Sequence, residues 1–305
     1  MPLKQPPFLK EGDTVGIVST GNPIAKRAVL PAQRIIESWG VNTVLGKTIG
    51  PRKGSFAGPD ELRLQDYQEM LDNENIKAIL HANGGDGAVR IMDKLDYKTF
   101  KKKPKWIAGY SDVTFMHCHI NGNFGIQTIH STMPIDISSQ GILEDSWETL
   151  RRAYFGEELS CEMKPHKLNR TGHAKGALVG GNLSILSPLQ GTNSDIDTDG
   201  KILFIECVGE HHFRIETYLM CLKKAGKFDK LKGMIIGRFT APMQDHPNFG
   251  YTTKEIVMNA VKEFDFPVCF NYPAGHEDTH CALVFGAETI MNVSRKGAFV
   301  EILRK

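Results

Sequence analysis

Lys105-Trp-Ile-Ala-Gly-Tyr-Ser-Asp-Val-Thr114 is the stretch around which the chain is organised. The apolar run 106–108 predicts a short buried strand, Gly109 a turn, and 115–120 a following helix. Ser111 then stands at a sharp strand-to-helix corner. Such a corner projects the hydroxyl out of the backbone, and the helix N-terminus behind it favours negative charge. That is the geometry a nucleophilic serine needs. A Ser-Asp helix cap, with Ser111 or Asp112 accepting from a free backbone N–H, accounts for the same residues.

Upstream, strands are expected at 14–19, 42–45 and 76–81, with helices at 24–39, 60–71 and 88–95. Another strand is expected at 125–130 and a helix at 146–155. This alternation predicts an α/β fold with an N-terminal doubly wound, mostly parallel, flavodoxin-like sheet. Ligands collect at the carboxyl ends of such strands, where the loops after His81 and Tyr110 lie. Residues 156–175 lose the alternation, turn polar and read as a crossover linker. The expected organisation is an N-terminal domain over 1–155, the linker, and a smaller C-terminal mixed α/β domain over 176–305. In the latter, strands are expected at 201–206, 233–236 and 267–271, helices at 214–225 and 252–264, and closing strands at 281–285, 289–293 and 298–302.

The length of 305 residues suits two domains, and 41% hydrophobic with 24% charged residues is ordinary for a soluble globular protein. A net charge of +2 gives no reason to expect nucleic acid or an anionic membrane as partner. Residues 1–12 have no signal-peptide core, and no stretch is long enough to span a bilayer. Six cysteines without C-x-x-C spacing read as free thiols in a reducing cytoplasm. No metal is expected. His117 and His119 point apart on a helix, His211-His212 read as polar surface or substrate contacts, and no zinc spacing occurs.

The turn Asn83-Gly-Gly-Asp-Gly87 lacks the phosphate-binding patterns. It is either a plain tight turn or one that frees a backbone N–H to face Ser111, as an acyl-transfer site requires where the oxyanion forms. Glu206 ends an apolar strand, where a buried carboxylate needs a partner or serves as a structural acceptor. His276, in Pro273-Ala-Gly-His276, is a loop histidine at a strand end and a candidate general base. Together Ser111, His276 and Glu206 supply a nucleophile, a base and an orienting acid; such triads are recognised by geometry rather than chain order.

Several motifs in the expected order resemble the LD-carboxypeptidase family of serine peptidases, which includes the microcin C immunity peptidases. They are Phe56-Ala-Gly58 with Asp60, Arg63 and Asp66; Asn83–Gly87 with Ala88 and Arg90; and Gly109-Tyr-Ser-Asp-Val-Thr114. His130 with Met133-Pro134, Gly180-Gly-Asn-Leu183 with Gly191-Thr192, residues 202–206 with Glu210 and Arg214-Ile-Glu216, and Pro273-Ala-Gly-His276 complete the set. The resemblance implies that Ser111 attacks the carbonyl, His276 carries the proton, Glu206 holds the imidazole, and the N–H groups of Gly85 and Asp112 form the oxyanion hole. It further implies a cytoplasmic homodimer without cofactor. The substrate would be a small muropeptide, a tetrapeptide cut between an L-centred diamino acid and terminal D-alanine in peptidoglycan recycling.

The sequence departs from the family pattern in places. The turn usually reads Arg-Gly-Gly-Tyr-Gly, but Asn83 and Asp86 stand here for the arginine and tyrosine. Ser131-Thr132 replace a usual Gly-Pro, and Cys207 follows the glutamate where aspartate is usual. These positions are expected at or beside the pocket, with Asn83 and Asp86 as substrate-binding residues. A microcin-type peptidase acting on peptidyl or aminoacyl nucleotides, and a two-domain protein that binds a small ligand without turnover, are the alternative readings.

Overall fold

The computed structural model describes residues 3–276 and 279–304. In chain order the first half forms β1 (Thr14–Val18), α1 (Lys26–Glu37), β2 (Asn42–Leu45), α2 (Asp60–Asp72), β3 (Ile76–His81), α3 (Lys98–Lys102), β4 (Trp106–Gly109), α4 (Thr114–Phe124), β5 (Thr128–His130), α5 (Pro134–Gln140) and α6 (Glu144–Phe155). The second half forms β6 (Leu159–Met163), β7 (Gly172–Asn182), α7 (Leu183–Leu186), β8 (Ile202–Val208), α8 (His212–Lys224), β9 (Gly233–Thr240), α9 (Thr253–Ala260), β10 (Val268–Cys269), β11 (Leu283–Phe285), β12 (Glu288–Ser294) and β13 (Gly297–Ile302).

One sheet has the order β11-β5-β4-β3-β1-β2. Its pairs are parallel except β11 against β5. The other has the order β10-β9-β8-β7-β12-β13-β6, one strand more than the first. It is parallel from β7 to β10 and antiparallel from β7 through β12 and β13 to β6. The mostly parallel N-terminal sheet and the mixed C-terminal one are thus as the alternation predicts.

Side chains on a strand point alternately to opposite faces, so a strand buried on both sides feeds two cores. β3 sends Ile79 to one core and Ala78 and Leu80 to the other; β8 divides Leu203 and Ile205 from Ile202 and Phe204 in the same way. One core takes Tyr67 and Leu71 of α2, Met116 and Ile120 of α4, and Ile215 and Leu219 of α8. The other takes Val29, Ala32 and Ile36 of α1, an apolar stripe at helical spacing, with Trp147 and Leu150 of α6. Both cores run across both sheets and bind the halves together. Among the described residues no helix is long and apolar enough to cross a membrane.

Several stretches differ from the sequence reading, which did not expect the helices α3 and α5. Residues 88–95 form two short 3-10 turns, 88–90 and 92–94, instead of a helix, because Ile91 between them has the non-helical φ of −120°. Residues 156–175, read as a crossover, carry β6 and the start of β7.

The topology positions the site. β4 and β8 are interior strands of the two sheets, and their carboxyl ends carry Ser111 and Glu206. β10 belongs to the second sheet but β11 pairs at the edge of the first, so the chain between them crosses from one to the other. His276 lies on that crossing.

Candidate active site

β4 is buried throughout, and after it Tyr110 stays extended at φ −143° and ψ −168°. Ser111 then turns abruptly to φ 61°, a left-handed conformation rare for any residue but glycine. Such a conformation costs on the order of 1–3 kcal/mol and persists only where the surroundings enforce it. A 3-10 turn over residues 111–113 leads into α4, and no side chain caps either element. Ser111 is therefore not the cap of α4. Asp112 is buried, and its carboxylate accepts from the Ala88 N–H at 2.9 Å.

The glycine turn is fixed from three sides. Asn22 donates its N–H to the Gly84 carbonyl at 2.7 Å, and its side-chain oxygen accepts from the Asp86 N–H at 3.3 Å. The wholly buried Arg63 donates to the carbonyls of Thr20 and Gly87 and to Asp60. Asp112 holds Ala88 from the third side. Burial pushes the Asp112 carboxyl up to about 7, the Ala88 N–H opposing this and the Asp86 charge adding to it. The turn lies directly against Ser111, since a Cβ on Gly84 would stand 3.0 Å from Ser111 Oγ.

Glu206 is wholly buried on β8. Its Oε2 is 2.8 Å from His276 Nδ1, and His276 Nε2 is 3.1 Å from Ser111 Oγ. Burial alone would lower the His276 pKa, but the Glu206 charge and hydrogen bond, with Asp136 further away, override it and raise it above the ordinary value. Gly275 allows the close approach of its loop: at φ +126° it sits where a Cβ would be 3.2 Å from Glu206 Oε2 and 3.3 Å from Arg238 Cβ. Arg238 in turn lines a cavity of about 640 Å³ with His212, Tyr251 and Lys254.

Asn83 is half-buried and donates its side-chain N–H to the Pro23 carbonyl at 3.1 Å, while Asp86 is exposed. Ser131 and Thr132 are buried; the Thr132 hydroxyl donates to Asp136 at 2.9 Å. His117 and His119 face separate partners, the Gly109 carbonyl at 2.9 Å and Ser194 Oγ at 2.9 Å. His211 and His212 instead share one partner, Asp245, at 3.2 and 2.9 Å. Among the described residues no group of three or more His, Cys, Asp or Glu is arranged to hold a metal.

Sequence reasoning missed Tyr110, Asp136 and His280. The Tyr110 ring centroid is 4.8 Å from that of His276 and 4.6 Å from that of His280, and its hydroxyl donates to Asp136 at 2.8 Å. These contacts join residues far apart in the chain, and no local spacing announces them.

A hydroxyl, an imidazole and a buried carboxylate in hydrogen-bonded series can carry out acyl transfer. Comparison with known proteins agrees in kind. A family model described as the LD-carboxypeptidase N-terminal domain matches residues 15–131, and one described as the C-terminal domain matches residues 175–291. A Bacillus subtilis protein named as a probable murein peptide carboxypeptidase is 33% identical, over 97% of this chain and 94% of its own. The chain belongs to the LD-carboxypeptidase family. The microcin C7 self-immunity protein MccF of Escherichia coli is 25% identical to this family member, over 94% of this chain and 93% of its own. The crystal structure of muramoyltetrapeptide carboxypeptidase from Oxalobacter formigenes superposes with a TM-score of 0.86 at 23% identity, covering 95% of this chain and 98% of its own. That likeness is one of fold.

Proposed function

We propose that this peptidase is a serine LD-carboxypeptidase that releases terminal D-alanine from muropeptide tetrapeptides, with Ser111, His276 and Glu206 as its catalytic residues. The observation that carries the proposal is the series Glu206 Oε2 to His276 Nδ1 at 2.8 Å and His276 Nε2 to Ser111 Oγ at 3.1 Å. In the resting state His276 donates from Nδ1 to Glu206 and accepts the Ser111 hydroxyl at Nε2. As Ser111 Oγ attacks the carbonyl of the diamino acid, its proton passes to Nε2, and the buried Glu206 stabilises the imidazolium. The oxyanion is received by the N–H groups of Gly85, on the turn whose Gly84 packs against Ser111, and of Asp112, the residue after the serine. Collapse of the tetrahedral species breaks the C–N bond, and His276 returns the proton to the amine of D-alanine. Water, deprotonated by His276, then attacks the acyl-Ser111 ester and releases the shortened peptide.

Asn83 and Asp86 border this site in the proposal, with Asn83 donating to the substrate carboxylate where relatives carry arginine. A neutral amide holds an anion less tightly than a guanidinium, so acidic substrate groups bind more weakly here. The resemblance also supports a homodimer acting in the cytoplasm in peptidoglycan recycling, which light scattering and fractionation test. The decisive assay is a matched panel read by mass spectrometry: L-Lys-D-Ala and diaminopimelate-D-Ala peptides, their L-Ala epimers, and an aminoacyl sulfamoyl-adenylate. Release of D-alanine alone supports the proposal; preference for the L-Ala epimers refutes its stereochemistry. Cleavage of the adenylate alone moves the chain to the nucleotide-directed reading.

A further inference from the structure

We propose that His130, acting through His280, is a positioning residue for His276, and that the two buried imidazoles set the orientation of the base by a fixed order of tautomers. The proposal rests on the catalytic reading of His276.

His130 and His280 are both buried, and His280 Nε2 is 3.0 Å from His130 Nδ1. A contact between two imidazoles needs one N–H and one lone pair. Both rings are neutral at pH 7, because burial foremost, and then neighbouring imidazoles, hold them far below the ordinary histidine value. Each therefore carries a single N–H. His130 Nε2 is a buried atom with no hydrogen-bond partner among the described residues. An unpaired acceptor is the less costly orphan, since an unmade N–H bond is rarer in buried sites. His130 is thus bare on Nε2 and donates from Nδ1 to His280 Nε2, which leaves the single proton of His280 on Nδ1. The Gly275 carbonyl beside the His280 ring favours a proton there. The order runs in one direction, from His130 Nδ1–H to His280 Nε2 and from His280 Nδ1–H to the carbonyl of Gly275.

Gly275 directly precedes His276, so fixing its carbonyl fixes the peptide plane from which the base projects. The same block braces the nucleophile. Tyr110, the residue before Ser111, sets its ring against both His276 and His280, and its centroid lies 5.9 Å from that of His130. In register, His130 pairs with Gly109 of β4 on one side and with Leu283 of β11 on the other. β5 therefore joins the strand that delivers Ser111 to the strand that follows the histidine loop, and the imidazole pair links them through side chains.

The test compares His130→Ala, His130→Asn and His130→Gln with the wild-type protein on a D-Ala-terminated tetrapeptide. Asparagine places an amide N–H near the position of Nδ1; glutamine places it near Nε2. Loss of reacting-group alignment costs up to about 100-fold. His130→Ala is therefore expected to lose roughly 10- to 100-fold in kcat with KM nearly unchanged. His130→Asn is expected to recover most of that loss and His130→Gln little of it. Equal kcat in all variants, or equal losses in Asn and Gln that follow their melting temperatures, would overturn the proposal. Should the variants not fold, 15N NMR of the wild-type imidazoles decides the matter. Protonated Nδ1 and bare Nε2 on both His130 and His280 are required, and any other pattern overturns the assignment. The catalytic reading fails separately, if Ser111→Ala keeps its turnover while the imidazole pattern stands.

Discussion

Gly84 lies so close to Ser111 that a Cβ built on it would stand 2.8 Å from the serine Cβ and 3.0 Å from its Oγ. The glycine turn and the nucleophile corner are therefore one packed unit. Gly84→Ala must push Ser111 out of its left-handed corner or swing the turn away. Displacement of a reacting group by about 1 Å can cost roughly 100-fold in rate. We expect Gly84→Ala to lower kcat by about that factor while far-ultraviolet circular dichroism stays unchanged. Wild-type kcat in a folded variant would contradict the contact.

In the proposed mechanism the proton on His276 sets the acid limb of activity. Its pKa is raised above the ordinary 6.5, the Glu206 carboxylate outweighing burial. The base works only when neutral, so kcat/KM falls as pH drops through a midpoint above 6.5. Glu206→Gln removes the charge and puts an amide in its place, whose NH2 can face Nδ1 and favour the wrong imidazole tautomer. A loss of roughly three to four orders of magnitude in kcat is expected, as for other triads that lose the orienting carboxylate. A wild-type midpoint well below 6.5 would contradict the pairing.

Asp112 gives a second pH dependence, of stability rather than rate. Its carboxyl rises from 3.8 to about 7 on folding, mainly through burial. Between those values the folded chain holds a proton that the unfolded chain has released. The contribution of Asp112 to stability therefore falls as pH rises across that window. Asp112→Asn keeps an oxygen to accept the Ala88 N–H but cannot ionise. Melting temperatures from pH 5 to pH 8 are expected to fall less steeply in the variant; parallel curves would contradict the buried, titrating carboxyl.

The corner at Ser111 is legible in sequence because everything that makes it is local: an apolar run, a glycine, then a helix. β2 and β3 are read at their observed limits for the same reason. The break at Ile91 is not legible, because 88–95 carries helix formers and the 3-10 turns come from how Ala88 is tied to Asp112 across the chain. β6 was visible in principle, as Leu159 and Met163 are buried and the residues between them are not. Its polarity concealed it, as suits a strand at the edge of a sheet. α5 had Pro134 at its first turn and Asp136 accepting from the Met133 N–H at 2.8 Å, a start signal that the glycine-poor stretch around it hid. Ser111, Glu206 and His276 were each readable as candidates, but the contact of His130 with His280, 150 residues apart, has no sequence signature.

Asn83 tests the substrate side of the proposal. Its amide already donates to the Pro23 carbonyl and brings no charge to the turn. Asn83→Arg is expected to lower KM for diaminopimelate-D-Ala peptides several-fold, because charge-assisted hydrogen bonds to a carboxylate are about twice as strong as neutral ones. The effect should weaken in high salt. An unchanged KM at low ionic strength would place Asn83 away from the carboxylate.

The most direct measurement is D-alanine release from a muropeptide tetrapeptide, followed by mass spectrometry, for the wild-type protein and Ser111→Ala side by side. The wild-type protein should release D-alanine and take up one fluorophosphonate per chain. Ser111→Ala should fold normally, take up none, and lose at least about three orders of magnitude in turnover, as members of a triad act as a unit. Release of D-alanine by Ser111→Ala at a rate near that of the wild type would contradict the serine mechanism.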